Sequence, residues 1–90
     1  MRIEFDTDKR RRTLAERGLD MADAAEVFEG PHLTVADDRR DYGEGRFITI
    51  GFLRGRMVVP VWTARGAVRR IISMRKANDR EIRTYAPRFR

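Results

Sequence analysis

The segment RFITIGFLRGRMVVPVWTARGAVRRIISMR, residues 46–75, decides the fold. Its three runs rich in β-branched and aromatic residues, 46–53, 57–63 and 68–75, are strand candidates, separated by "RG" at 54–55 and "ARG" at 64–66. Links this short leave no room for a crossover, so the three strands are expected as antiparallel neighbours, a meander. Pro60 has no N–H for the ladder and belongs at an edge, a bulge or an unpaired position. In the last run, strict alternation assigns Arg69, Ile71, Ser73 and Arg75 to one face and Arg70, Ile72 and Met74 to the other. The expected sheet has one face packed on helices and a second, half-apolar floor edged with arginines.

Outward from this core, "RIEF" at 2–5 alternates polar and apolar residues as a short strand does. Asp6 is a candidate N-cap for a helix through about Arg17, with Gly18 as its C′ residue. The charge order of that helix is unfavourable, because Lys9, Arg10, Arg11 and Arg12 crowd its positive end at a few tenths of a kcal/mol each, roughly. Met21, Ala24, Ala25 and Phe28 then form one apolar helical stripe, capped by Asp20 and stopped by "GP" at 30–31. "HLTVAD" at 32–37 is expected as a strand and "RRDYGEG" at 39–45 as a turn. Asn78 with Glu81 forms a capping-box pattern, and Ile82 and Tyr85 share a face of the closing helix ended by Pro87. No repeat or linker interrupts the chain, and residues 1–90 are expected to form a single domain.

The sequence carries 20 lysines and arginines against 14 aspartates and glutamates, a net charge of +6. Such an excess favours polyanionic partners, nucleic acid or an acidic protein, over a membrane, for which no long apolar segment is present. With no signal-peptide core at the start, a cytoplasmic location is expected. There is no cysteine and a single histidine, His32. Thiolate chemistry, cysteine-ligated zinc, a histidine pair and a multi-histidine metal site are thereby excluded, and no cofactor is expected. Chemistry must run on arginine, lysine, tyrosine, carboxylates, hydroxyls or backbone.

Arg65 and Arg46 stand near the strand ends, Arg75 where the last strand runs out, and Lys9 and Arg10 on the flanking first helix. With the aromatic bodies of Trp62, Phe52 and Tyr42 they would form a cationic concavity suited to single-stranded RNA. Guanidinium forks hold phosphates, and planar groups stack on bases. Each arginine also reads as a solvated or internally paired charge, Trp62 as core, and Arg69 with Arg70 as a partner surface or solvent-facing pair.

The chain resembles the BrnT toxins of BrnT/BrnA toxin–antitoxin pairs. The resemblance runs through "FDTDK", "RGLDMADAAEVFEGP", "GEGRFITIG", "VWTARG" and, most specifically, "RIISMRKANDREIRTYA". Thr13 stands where the family commonly has asparagine, and Glu16, Arg17 and Gly18 where it frequently has Lys-His-Gly. The resemblance implies an α+β, RelE-like fold of order β-α-α-β-β-β-β-α, with a mainly antiparallel sheet packed against helices. It further implies an endoribonuclease toxin of a type II pair that inhibits translation. A BrnA-like ribbon-helix-helix antitoxin would silence it in a complex that also binds operator DNA.

RNA can be cut without metal when its own 2′-hydroxyl attacks the adjacent phosphorus and the protein stabilises the charge growing on the phosphoryl oxygens. Arginine suits that task because its charge does not titrate near neutrality and its fork fits two oxygens. Arg65, Arg75 and Lys9 are the expected catalytic residues, and Arg46, Arg10, Trp62 and Tyr85 the expected RNA contacts. For the proton acceptor Lys9, Glu44, Glu16 and Tyr85 all remain open. Two rival readings are a non-catalytic basic module that binds RNA or DNA and a ParE-like toxin that inhibits a protein target.

Overall fold

The protein, seen in a computed structural model that describes residues 2–39, 41 and 43–89, follows the expected element order. The expected aromatic contribution of Tyr42 lies outside the described residues. Strand β1 (Arg2–Phe5) leads into α1 (Thr7–Arg17), a 3₁₀ turn (Met21–Asp23) and α2 (Ala24–Glu29). Strands β2 (His32–Ala36), β3 (Arg46–Leu53), β4 (Arg56–Arg65) and β5 (Val68–Lys76) follow, then α3 (Asp79–Tyr85) and a 3₁₀ turn (Ala86–Phe89). Local signals account for the boundaries. Asp6 caps α1, and Gly18 ends it in the left-handed region at φ 68°. The α3 start has both hydrogen bonds of the capping box. Arg54 and Gly55, at φ 51° and 83°, close the β3–β4 hairpin with the two positive φ angles of a type I′ turn.

The five strands form one sheet in the order β1-β5-β4-β3-β2. The meander β3-β4-β5 is antiparallel, as is β2 on β3, but β1 runs parallel to β5 from Arg2↔Val68 to Phe5↔Ile71. The sheet is therefore mixed rather than uniformly antiparallel. Its parallel join arises because the helical segment carries the chain from β1 at one edge to β2 at the other, leaving β1 beside the last strand.

Both faces are partly covered. On one, Leu53, Val58, Trp62, Ile71 and Met74 pack under Leu19, Met21, Ala24, Val27 and Phe28, with Ile3, Phe5 and Phe47 at the margin. On the other, Ile50, Met57 and Val59 pack with Phe52, Tyr85 and Phe89 from the closing segment. Gly51 permits the first contact, since a Cβ there would stand 2.6 Å from Val27 Cγ1.

A β-bulge corrects the expected alternation of β5. Trp62 pairs with Ile71 and Val61 with Ser73, so Ile72 has no residue opposite. Ile71 and Met74, assigned to opposite faces by strict alternation, consequently enter the same apolar cluster. Pro60 is buried in the central strand one residue from this irregularity, and the β3–β4 pairing passes it by, stepping from Ile48↔Val61 to Gly51↔Val58. Among the described residues no helix is long and apolar enough to cross a membrane.

Candidate nucleic-acid interface

The bulge and the register place the expected site residues. Arg75 lies opposite Val59, and Arg65 stands six residues further along β4, opposite Val68. Their positions share a face but are separated by roughly 20 Å of extended strand. Arg65 Nη2 is 3.6 Å from Glu44. Arg46 and Arg70 flank Thr63 in one cross-strand row, and Arg70 Nη1 stands 3.4 Å from Glu4.

Arg75 is held in a fork. Its Nη1 and Nη2 donate to the two oxygens of Glu81 at 2.7 and 2.8 Å, a bidentate fork. Glu81 Oε1 also accepts from the Asn78 backbone N–H at 2.9 Å, so one carboxylate both starts α3 and orients the guanidinium. The Arg75 hydrogen bonds, helped by the Asn78 amide, hold the Glu81 carboxyl at about 2, and the same pair raises Arg75. Tyr85, one turn beyond Glu81, is half-buried against the Ile50 cluster.

Several expectations change. Trp62 is 8% exposed, stacks on Phe47 with centroids 4.8 Å apart, and donates from Nε1 to Thr49 Oγ1 at 2.8 Å. It is a core residue with its polar edge satisfied, so it offers no open stacking platform. Arg69, read from the sequence as facing a partner or solvent, is only half-buried, but its guanidinium lies 4.3 Å over the Phe28 ring and 4.7 Å over Trp62. Arg10 holds the helical segment, donating to both oxygens of Asp20 at 2.8 and 3.0 Å while lying over Phe5. That pairing, with the Ala22 amide, lowers the Asp20 carboxyl and raises Arg10.

A different constellation emerges at the edge of β5. The β1 pairing stops at Ile71, leaving the later part of that edge without a strand neighbour. The second half of α1 lies along it, and Arg17 Nη1 donates to the Met74 carbonyl at 2.9 Å. Lys9, Arg12, Thr13, Glu16 and Arg17 face Ile72 and Ser73 across an open groove. Arg10, Arg11, Arg39, Arg54, Arg65, Arg70 and Arg75 each stand against a carboxylate. Lys9 and Arg12 have no acidic partner among the described residues. Ser73 is two residues from Arg75, roughly 7 Å along the strand.

Of the expected catalytic residues, Lys9 lines this groove, Arg75 lies outside its lining two residues past Ser73, and Arg65 stands at the far end of β4. Arg12 was expected only as one of the neighbours of Lys9, and Arg17 was not expected in the groove. The helical period applied to charged rather than apolar side chains finds Arg12, since Lys9, Arg12, Thr13 and Glu16 fall at i, i+3, i+4 and i+7, with Arg17 at i+8. Among the described residues, no cluster of three or more histidines, aspartates or glutamates could hold a metal ion.

Residues 5–81 match the family model described as "Ribonuclease toxin, BrnT, of type II toxin-antitoxin system". A search among curated proteins finds no match.

Proposed function

The chain belongs to the BrnT family of ribonuclease toxins of type II toxin–antitoxin systems, and from that premise we propose that it is a metal-independent endoribonuclease of RelE-like fold class. In this reading it acts in the cytoplasm, stops translation by cutting RNA, and is silenced by a BrnA-like ribbon-helix-helix antitoxin. The toxin–antitoxin complex binds operator DNA.

The observation that supports the reading is the groove between α1 and the free edge of β5, lined by Lys9 and Arg12, neither of which has an ion pair with a described acid. Two cations near the positive end of a helix are unfavourable unless an anion meets them. A polynucleotide supplies such anions at regular intervals. The phosphate to be cut takes its charge stabilisation from Lys9 and Arg12 of α1, with Arg75 contributing from β5. Arg65 and Arg46, at the far end of the sheet face, hold the RNA backbone several residues away. Tyr85 borders the Arg75 end.

Incubation of the purified protein with total RNA in EDTA tests the proposal. Cleavage that persists with the chelator and falls at least tenfold in Lys9→Ala or Arg75→Ala supports it. Salt-sensitive binding without any cleavage would replace it with the non-catalytic module. Growth arrest with no effect on RNA would replace it with inhibition of a protein target.

A further inference from the structure

No residue of α1 is buried. A helix laid on a sheet ordinarily turns an apolar stripe inward, yet the face of α1 that follows the β5 edge is Lys9, Arg12, Thr13 and Glu16. Glu16 is the exception in sign. It stands among Lys9, Arg12 and Arg17 without a hydrogen bond or ion pair to any described residue. A carboxylate left unpaired among three cations has oxygens free to accept a proton from a ligand that those cations hold.

Four other candidate acceptors among the described residues are engaged or distant. Glu81 is locked in the Arg75 fork and capping α3, and its carboxyl is held at about 2, too acidic for a useful base near neutrality. Glu44 stands against Arg65, roughly 20 Å along the strands from Arg75. His32 belongs to β2, at the sheet edge opposite β1, and its Nδ1 is bonded to the Gly30 carbonyl. Tyr85 packs into the Ile50 cluster.

We propose that Glu16 is the catalytic proton acceptor for the 2′-hydroxyl of an RNA whose phosphodiester lies in this groove against Lys9 and Arg12. The inference rests on the nuclease reading above and gives that site its missing base. Glu16 takes the 2′-hydroxyl proton as O2′ bonds to phosphorus. The P–O5′ bond breaks, and the departing 5′ oxygen takes a proton from the Lys9 ammonium. Solvent returns the proton from Glu16 to Lys9. No atom or electron is gained or lost overall, and the products are a 2′,3′-cyclic phosphate and a 5′-hydroxyl. Arg12 and Arg17 hold their charge throughout.

The test uses the full chain, a cleavable oligoribonucleotide and the same sequence carrying 2′-O-methyl groups, which binds but has no proton to give. Because α1 buries nothing, Glu16→Gln is expected to fold as the unmodified protein does, checked by circular dichroism. It should bind the 2′-O-methyl RNA within about twofold of the unmodified protein while kcat falls about 10²-fold or more at unchanged KM. Glu16→Asp should recover part of the rate. Cleavage by Glu16→Gln at the original rate overturns the assignment and leaves the nuclease reading intact. A loss of rate matched by an equal loss of binding also overturns it, because Glu16 would then only shape the groove. Absence of cleavage by the unmodified protein overturns both.

Discussion

Glu81→Gln isolates the charge that holds Arg75. Glutamine keeps an acceptor oxygen at the third position of α3, so the capping box survives while the carboxylate opposite the guanidinium is lost. The Glu81 carboxyl titrates at about 2 in the folded protein against an ordinary value of 4.5. Unscreened, that difference amounts to about 3.4 kcal/mol. The Arg75 side chain is 43% exposed, so solvent screening reduces the expected contribution to about 1–2 kcal/mol. Its sign follows from proton uptake. The folded value is depressed, so the unfolded chain binds the proton first as pH falls. The stabilisation is fully present above about 4.5 and disappears as pH drops through about 2. Urea denaturation of the two proteins between pH 7 and pH 2 measures this directly. The midpoint of Glu81→Gln should be lower at neutral pH by an amount equivalent to about 1–2 kcal/mol, and the two curves should converge toward pH 2. A difference that stays constant over the whole range would refute the reasoning, because it would mean that packing rather than charge carries the pair.

Lys9→Ala with Arg12→Ala should weaken binding of single-stranded RNA and make log Kobs against log salt shallower by about 1.4, as measured by anisotropy titration, if each contacts one phosphate. Arg10→Ala should leave specific cleavage per folded molecule unchanged and destabilise the protein by about 1 kcal/mol in urea, because Arg10 braces Asp20. Gly51→Ala should cost about 1–3 kcal/mol in the same assay, since the new Cβ meets Val27 Cγ1 at 2.6 Å inside a packed interface. Trp62→Phe removes the donor to Thr49 and should cost about 1–3 kcal/mol without a specific loss of RNA affinity. A selective fall in affinity there would restore the stacking role that burial argues against.

The local grammar of the chain was legible before any contact was known. Asp6, Gly18, Asn78 with Glu81, and the Arg54-Gly55 turn are signals confined to a few neighbouring residues, and each marks a boundary that the structure has. The meander was legible for the same reason, because links of two or three residues admit only antiparallel neighbours. The site was only half legible. Lys9 and Arg75 stood out as cations in unusual places. Which part of β5 Lys9 faces depends on where α1 lies, and nothing in its apolar pattern announces that position.

The sequence by itself determined the element order, the capped ends, the antiparallel meander and an excess of positive charge. Those properties follow from backbone stereochemistry, short loops and composition, all of which act over a few residues or over the chain as a whole. Only the tertiary structure decided which charges are paired inside the protein and which are not. The parallel join of β1 to β5 ends at Ile71, the bulge at Ile72 resets the faces of the last strand, and α1 settles along the edge left open. Through those long-range contacts Arg69 becomes a lid on the aromatic core and Arg75 a partner of Glu81, while Lys9 and Arg12 remain without an acid. Charge pairing depends on distances of a few ångströms between residues far apart in the chain, and spacing along the sequence does not encode those distances.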